Sequence, residues 1–231
     1  MKTITPVQWP AFPVFRKNRP VAFTLIELLV VISIIAILAG IALPVMTIVQ
    51  IHAAQTRDLS NAKQVGLGLR LYAADNNGFF PTAATSANSA FLNVVPVYVP
   101  SQKLFYLAGS GWSTGNHAVE YGTSGTLAAG QNNYAYVSGL QDSNNSNYPL
   151  MADGFTSGSP GVYNSVQGTK GGVWKGTKAI VVRVDDSVTI EAVSNTDYKV
   201  NANGANTDSP STDIFTPGVT WMPSATVLNP Q

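Results

Sequence analysis

Cysteine is absent from the 231 residues, which excludes disulfides, thiolate metal sites, iron–sulfur clusters and cysteine nucleophiles, and leaves the redox compartment undecided. Histidine is nearly absent, with His52 and His117 only. Most general-base and zinc sites use imidazole, so the catalytic menu is thin. Charge is scarce at 11%, and 13 bases against 12 acids leave a net charge of +1. That balance gives no long-range field for drawing in nucleic acid. No P-loop or dinucleotide fingerprint occurs, and Gly109-Ser110-Gly111 lacks the downstream glycine of a nucleophile elbow. His117 has one nearby acid, Glu120, and His52 meets Thr56 at i+4 where a second metal ligand would stand. These absences point away from an enzyme. What remains is a chain with 45% apolar residues, long enough for one domain with a real core or for a domain plus an appendage.

The charges that exist are unevenly placed. Lys2, Arg16, Lys17 and Arg19 precede residue 23 with no acid among them, and the remaining 9 bases face all 12 acids. Such an asymmetry at the start of a chain reads as a targeting signal. Residues 23–46 follow as FTLIELLVVISIIAILAGIALPVM, with one ionisable side chain. As a helix this stretch spans about 36 Å at about 1.5 Å per residue, more than the roughly 30 Å hydrocarbon core of a bilayer. The bases lie upstream, which orients residues 1–22 toward the cytoplasm and the bulk of the chain to the far side. A secretory signal has a shorter apolar run and an A-x-A-like site, which Gly40-Ile41-Ala42 matches poorly. A soluble core helix seldom stays apolar on every face for this length. A plain anchor accounts for the length and the flanks.

It does not account for Glu27. An ionised carboxylate within hydrocarbon costs at least about 2–3 kcal/mol on insertion scales and is seldom kept without a partner. A cut between Ala22 and Phe23 would create an α-amino group four residues from Glu27, one turn away on the same helix face. The carboxylate would then have a cation to meet, its own or a neighbouring subunit's.

Arg19-Pro20-Val21-Ala22 followed by Phe23-Thr24-Leu25-Ile26-Glu27-Leu28-Leu29-Val30-Val31 resembles the class III signal of type IV pilins and type II secretion pseudopilins. The resemblance implies that a prepilin peptidase cuts before Phe23 on the cytoplasmic face and methylates its new amine, and that Glu27 recognises a neighbour's amino terminus during assembly. That family usually has glycine before the cut, where this chain has Ala22.

Past the apolar run, Pro44 removes a backbone donor and crowds the carbonyl of Gly40, so a kink or local melting is expected over that turn. It either ends the span or bends a helix that resumes after it. Within residues 47–78, Ala62, Val65, Leu69 and Tyr72 fall at i, i+3, i+7 and i+10, a single apolar stripe opposite Arg57, Lys63 and Arg70. The stripe calls for a sheet to cover it, and Gly66 and Gly68 call for close packing. Asp75-Asn76-Asn77-Gly78 reads as the stop. Tyr72, Asp75, Asn77, Gly78 and Pro81 resemble the corresponding closure in major pseudopilins of the G type.

Residues 79–231 are rich in small and polar residues with short apolar runs, such as 91–95 and 103–107, which favours strands and loops over long helices. Strands are predicted at 134–137, 149–152, 179–184 and 188–193, the last two a hairpin around Asp185-Asp186-Ser187 in which Asp186 tolerates a positive φ. The segments around 149–154 and 179–185 also resemble a pilin-like branch with a histidine ten positions before an Asp-Gly turn; Lys175 and Asp186 stand at those two positions here. Asp153, Asp185 and Asp186 are candidate oxygen ligands for Ca²⁺, which the resemblance to major pseudopilins suggests, or else ordinary turn residues. No other cofactor is called for. Residues 200–231 read as an extended tail docked through Ile214, Phe215, Val219, Trp221 and Met222.

The expected architecture is therefore α+β: a leader over 1–22, a transmembrane and assembly helix over 23–46, its amphipathic continuation over 47–78, and a β-rich head over 79–231. The expected role is a filament subunit of the inner membrane, with the head periplasmic. Its partners would be copies of itself, other pilin-like subunits, the prepilin peptidase and N-methyltransferase, an inner-membrane assembly platform and the lipid bilayer. A membrane-anchored periplasmic binding protein or enzyme that never polymerises is the alternative.

Overall fold

A computed structural model describes residues 23–115, 125–202, 213–216 and 225–231. Ala22 with the rest of the leader, His117, Glu120, and the tail residues Val219, Trp221 and Met222 lie outside the described residues. The chain divides into two units, residues 1–49 and 50–231. The helix α1, Leu25–Asp75, contributes to both.

In the first unit, α1 carries its large apolar side chains in the open. Leu25 is 89% exposed and even Val30, among the most covered, is 48% exposed. This stretch is long and apolar enough to cross a membrane, and none of it is buried within the protein. The helix passes Gly40 and Pro44 without interruption. The local melting expected there is absent, because a proline removes one hydrogen bond and the turns on either side keep theirs.

In the second unit the predicted stripe is buried. Ala62, Val65 and Leu69 are fully covered, Ala73 joins them, and Tyr72 is half-buried with its ring edge-on to Tyr98 at 5.8 Å. Asp58 and Gln55 extend the covered face two turns toward the amino terminus. Gly66 and Gly68 pack closely, as expected: a Cβ on Gly66 would stand 2.8 Å from Val182 Cγ1, and one on Gly68 2.5 Å from Val99 Cγ2. The helix stops where the turn residues predict, with Asn77 and Gly78 at φ +55° and +84° and the Gly78 N–H donating to the Ala73 carbonyl at 2.8 Å.

The sheet is antiparallel, in the order β4-β3-β2-β1-β5. Its strands are β1 Tyr134–Ser138, β2 Pro149–Asp153, β3 Lys178–Arg183, β4 Val188–Ala192 and β5 Thr226–Leu228. The first four coincide with the predicted strands to within a residue or so, and Asp186 takes φ +65° in the hairpin turn. β1 and β2 are buried along their whole length. Tyr134, Asp153 and Val182 look toward α1, and by the period of two Ala135, Ala152 and Val181 face away, where they too are covered. The two apolar runs form no strand: the first follows a short helix, α2 Ala87–Phe91, with a Ser86–Ser89 capping box, and the second takes in a 3₁₀ turn over Gln102–Phe105. Their phenylalanines pack on β1, Phe91 against Tyr136 at 5.4 Å and Phe105 against Tyr134 at 6.5 Å. β5, which the pattern did not single out, closes the β1 edge.

The result is the expected α+β arrangement, a long apolar amino-terminal helix and a carboxyl-terminal antiparallel sheet, consistent with a pilin-like fold.

Candidate functional site

The amino-terminal turn of α1 is the first site to build. Thr24 is the last residue before the helix, and Glu27 stands at its third position. The Thr24 N–H and Oγ1 both donate to Glu27 Oε2 at 2.8 Å, and the Glu27 N–H donates back to Thr24 Oγ1 at 3.3 Å. This reciprocal pair is a capping box, which satisfies donors that the first turn would otherwise leave open. Phe23 is 82% exposed beside it. Glu27 thus has a partner within its own chain, a role that the T-x-x-E spacing carries in the sequence and that the charge argument alone misses. One Glu27 oxygen, Oε2, receives both Thr24 donors. Gly40 has open space around it, with nothing within 4 Å of where a Cβ would stand.

The three aspartates considered for Ca²⁺ do not converge. Asp153 ends β2 opposite Tyr134, whereas Asp185 and Asp186 follow the far end of β3, beyond Arg183, which pairs with Pro149. Asp153 is fully buried, and three donors engage its carboxylate: Asn133 Nδ2 on Oδ1 at 2.9 Å, and Trp174 Nε1 at 2.8 Å and the Ile180 N–H at 2.9 Å on Oδ2. Asp185 receives the Ser187 N–H at 2.9 Å. Its hydrogen bonding to Ser187 holds its carboxyl below the usual carboxylate range. Asp186 forms an ion pair with Lys63 at 2.6 Å. Among the described residues no group of three or more His, Asp or Glu side chains is placed to hold a metal. These three carboxylates therefore do not meet at one point: one lies in the core and two in a turn, each with partners in the protein.

The hairpin turn instead clamps the sheet to α1. Lys63 Nζ donates to the Asp186 carbonyl at 2.5 Å as well as to its carboxylate, and Arg70 Nη1 donates to the Val184 carbonyl at 2.6 Å. The two bases are seven residues apart and so lie on one helix face. Gly66 between them leaves room for Asp186, whose Oδ1 would be 2.8 Å from a Cβ there. His52 is exposed, and Ser110 is a buried turn residue that accepts from the Trp112 N–H at 3.1 Å.

Fold and terminus together define a class: a chain anchored by an amino-terminal apolar helix with a β-rich unit after it. Residues 22–43 match the family model of the prokaryotic N-terminal methylation motif. That match indicates a pilin- or pseudopilin-type precursor, processed by a prepilin peptidase. No curated protein and no solved structure matches the chain.

Proposed function

We propose that this protein is a structural subunit of a type II secretion pseudopilus or a type IV pilus-like filament. The observation that carries the reading is the methylation motif on a helix whose amino-terminal turns hold large apolar side chains exposed while its later turns are built into a folded unit. Cleavage after Ala22 would leave Phe23 as an N-methylated terminus. The helix would hold the subunit in the inner membrane with the sheet periplasmic, then pack against other helices in the filament by apolar contact. Glu27 would set axial register by pairing with a neighbour's amine. The Asn77-Gly78 turn favours the pseudopilin over the pilus subunit, as does the absence of cysteine. The reading calls for no cofactor and no catalytic residue, and its partners are copies of the chain, related subunits, the peptidase with its methyltransferase activity, and the assembly platform.

One observation favours the second reading, an anchor that never polymerises: Thr24 already satisfies Glu27 within the chain. The mass and sequence of the amino terminus, taken from native membranes, separate the two. N-methylated Phe23 is expected. An intact Met1 would leave Glu27 without the amine on which assembly depends. Glu27→Leu then tests the role itself: normal insertion with no sheared filaments is expected, and filaments from the variant would remove Glu27 from assembly.

A further inference from the structure

The covered face of α1 holds one acid, Asp58, fully buried where the helix meets β1 and β2. Its Oδ1 accepts from Tyr134 Oη at 2.6 Å, and its Oδ2 meets no donor. The buried acid that acts on it from the sheet is Asp153, whose strand position is opposite Tyr134. Two buried carboxylates acting on each other offer only acceptors and like charge, with no water to separate them. One of them carries a proton, and the donor count decides which. Asp153 receives three protein donors and suits a charge, whereas Asp58 receives one and has an orphaned oxygen.

We propose that Asp58 holds its proton in the folded protein and donates it to ionised Asp153, so that the two acids form a pH-sensitive latch between α1 and the sheet. Burial, then the charge of Asp153, push the Asp58 carboxyl well above the usual carboxylate range; burial also raises Asp153, against the pull of its donors. Among the described residues, the other groups that act on the pair carry no compensating positive charge. Tyr134 comes from β1, and Tyr163 from the loop before β3, with Asp213 behind it in an ion pair with Lys199 at 3.3 Å. Both phenols are pushed up by burial and stay neutral through the range in question.

The sign follows from linkage. A carboxyl whose titration is raised by folding contributes its full stability below the ordinary aspartate range, and that contribution is lost as pH rises through the raised value. Above it, two like charges share a site closed to water. The latch is therefore closed in acid and weakened as pH rises, the reverse of what a salt-bridged aspartate gives. A subunit built this way keeps its helix on its sheet in an acidified exterior.

The test uses the full processed chain in detergent micelles, with thermal unfolding followed by tryptophan fluorescence from pH 4 to 9. Asp58→Asn supplies a permanent N–H donor toward Asp153 and a carbonyl for Tyr134, whereas Asp153→Asn removes an acceptor either from Asn133 or from both Trp174 and Ile180. The native chain is expected to lose roughly 5 °C or more of Tm relative to Asp58→Asn as pH rises from 4 to 9. Asp153→Asn is expected to be lower than both at every pH. A native chain and an Asp58→Asn variant with parallel pH profiles would overturn the latch. So would an Asp58→Asn variant as weak at pH 5 as Asp153→Asn. Should Asp58→Asn not fold, the carboxyl ¹³C resonances of aspartate-labelled native protein decide: at pH 6.5 one buried aspartate at a protonated shift is expected, and none there refutes it.

Discussion

The helix α1 carries three acids, and two of them, Glu27 and Asp58, are handled in opposite ways. Glu27 lies in the unit of residues 1–49, exposed, and is held by the donors of Thr24 in the first turn of the helix. Asp58 lies in the unit of residues 50–231, fully buried, and is held by Tyr134 and by a second acid. In the first unit the apolar side chains find no cover within the protein, so the surroundings must supply it. In the second the same helix has only a stripe of apolar side chains, and the sheet covers it. A polar group in the first setting is therefore available to another molecule, while one in the second belongs to the fold.

Removing acceptors from the buried side should have the largest effect. Asp153→Ala leaves Trp174 Nε1, Asn133 Nδ2 and the Ile180 N–H without their acceptor, which should cost about 3–5 kcal/mol in denaturant unfolding. A smaller and more diagnostic contrast comes from two glycines on the same helix. Gly68→Ala places a methyl 2.5 Å from Val99 Cγ2 and 3.2 Å from the Tyr98 carbonyl, so the second unit should lose about 1–3 kcal/mol. Gly40→Ala meets open space and should leave unfolding of that unit unchanged while raising helicity in micelles, since alanine favours a helix over glycine by roughly 1 kcal/mol. Equal effects at the two positions would erase the distinction between the two regions.

The same contrast explains what was legible in the sequence. Periodicity revealed the apolar run, the stripe at Ala62, Val65 and Leu69, the Asn77-Gly78 stop and four of five strands, because each of these is decided by local pattern and burial. β5 is three residues long and owes its place to pairing with β1 across ninety residues of chain, which no local pattern records. The runs at 91–95 and 103–107 have strand-like composition, but Ser86 and Ser89 cap a helix that ends at Phe91, where the first of them begins. At the candidate sites, residue type alone made Asp153, Asp185 and Asp186 look like one oxygen-rich cluster. Strand register puts Asp153 at one end of the β2–β3 ladder and the other two past the opposite end. Asp58 escaped notice because an acid on a helix is usually solvated, and only the fold brings Tyr134 and Asp153 to it. The Thr24–Glu27 box was legible in principle from its spacing alone.

The smallest expected effect lies at the edge between buried and open, in the clamp of Lys63 on the hairpin turn. The Lys63 side chain is 53% exposed and that of Asp186 13%, so water screens the pair from one side only. Exposed pairs contribute about 0–1 kcal/mol, and Lys63→Ala should cost no more than about 1 kcal/mol at low salt, falling as ionic strength rises. Lys63→Met keeps most of the aliphatic stem and loses the charge, so a match between the two variants would assign the effect to the ion pair, and a milder methionine variant would assign part of it to the stem. Because Arg70 holds the Val184 carbonyl independently, the turn should stay on the helix in either variant. Amide exchange at residues 184–187 measures that directly: slow exchange there with the ion pair gone would show that the Gly66 contact and Arg70 suffice to seat the hairpin, and that Lys63 only trims it.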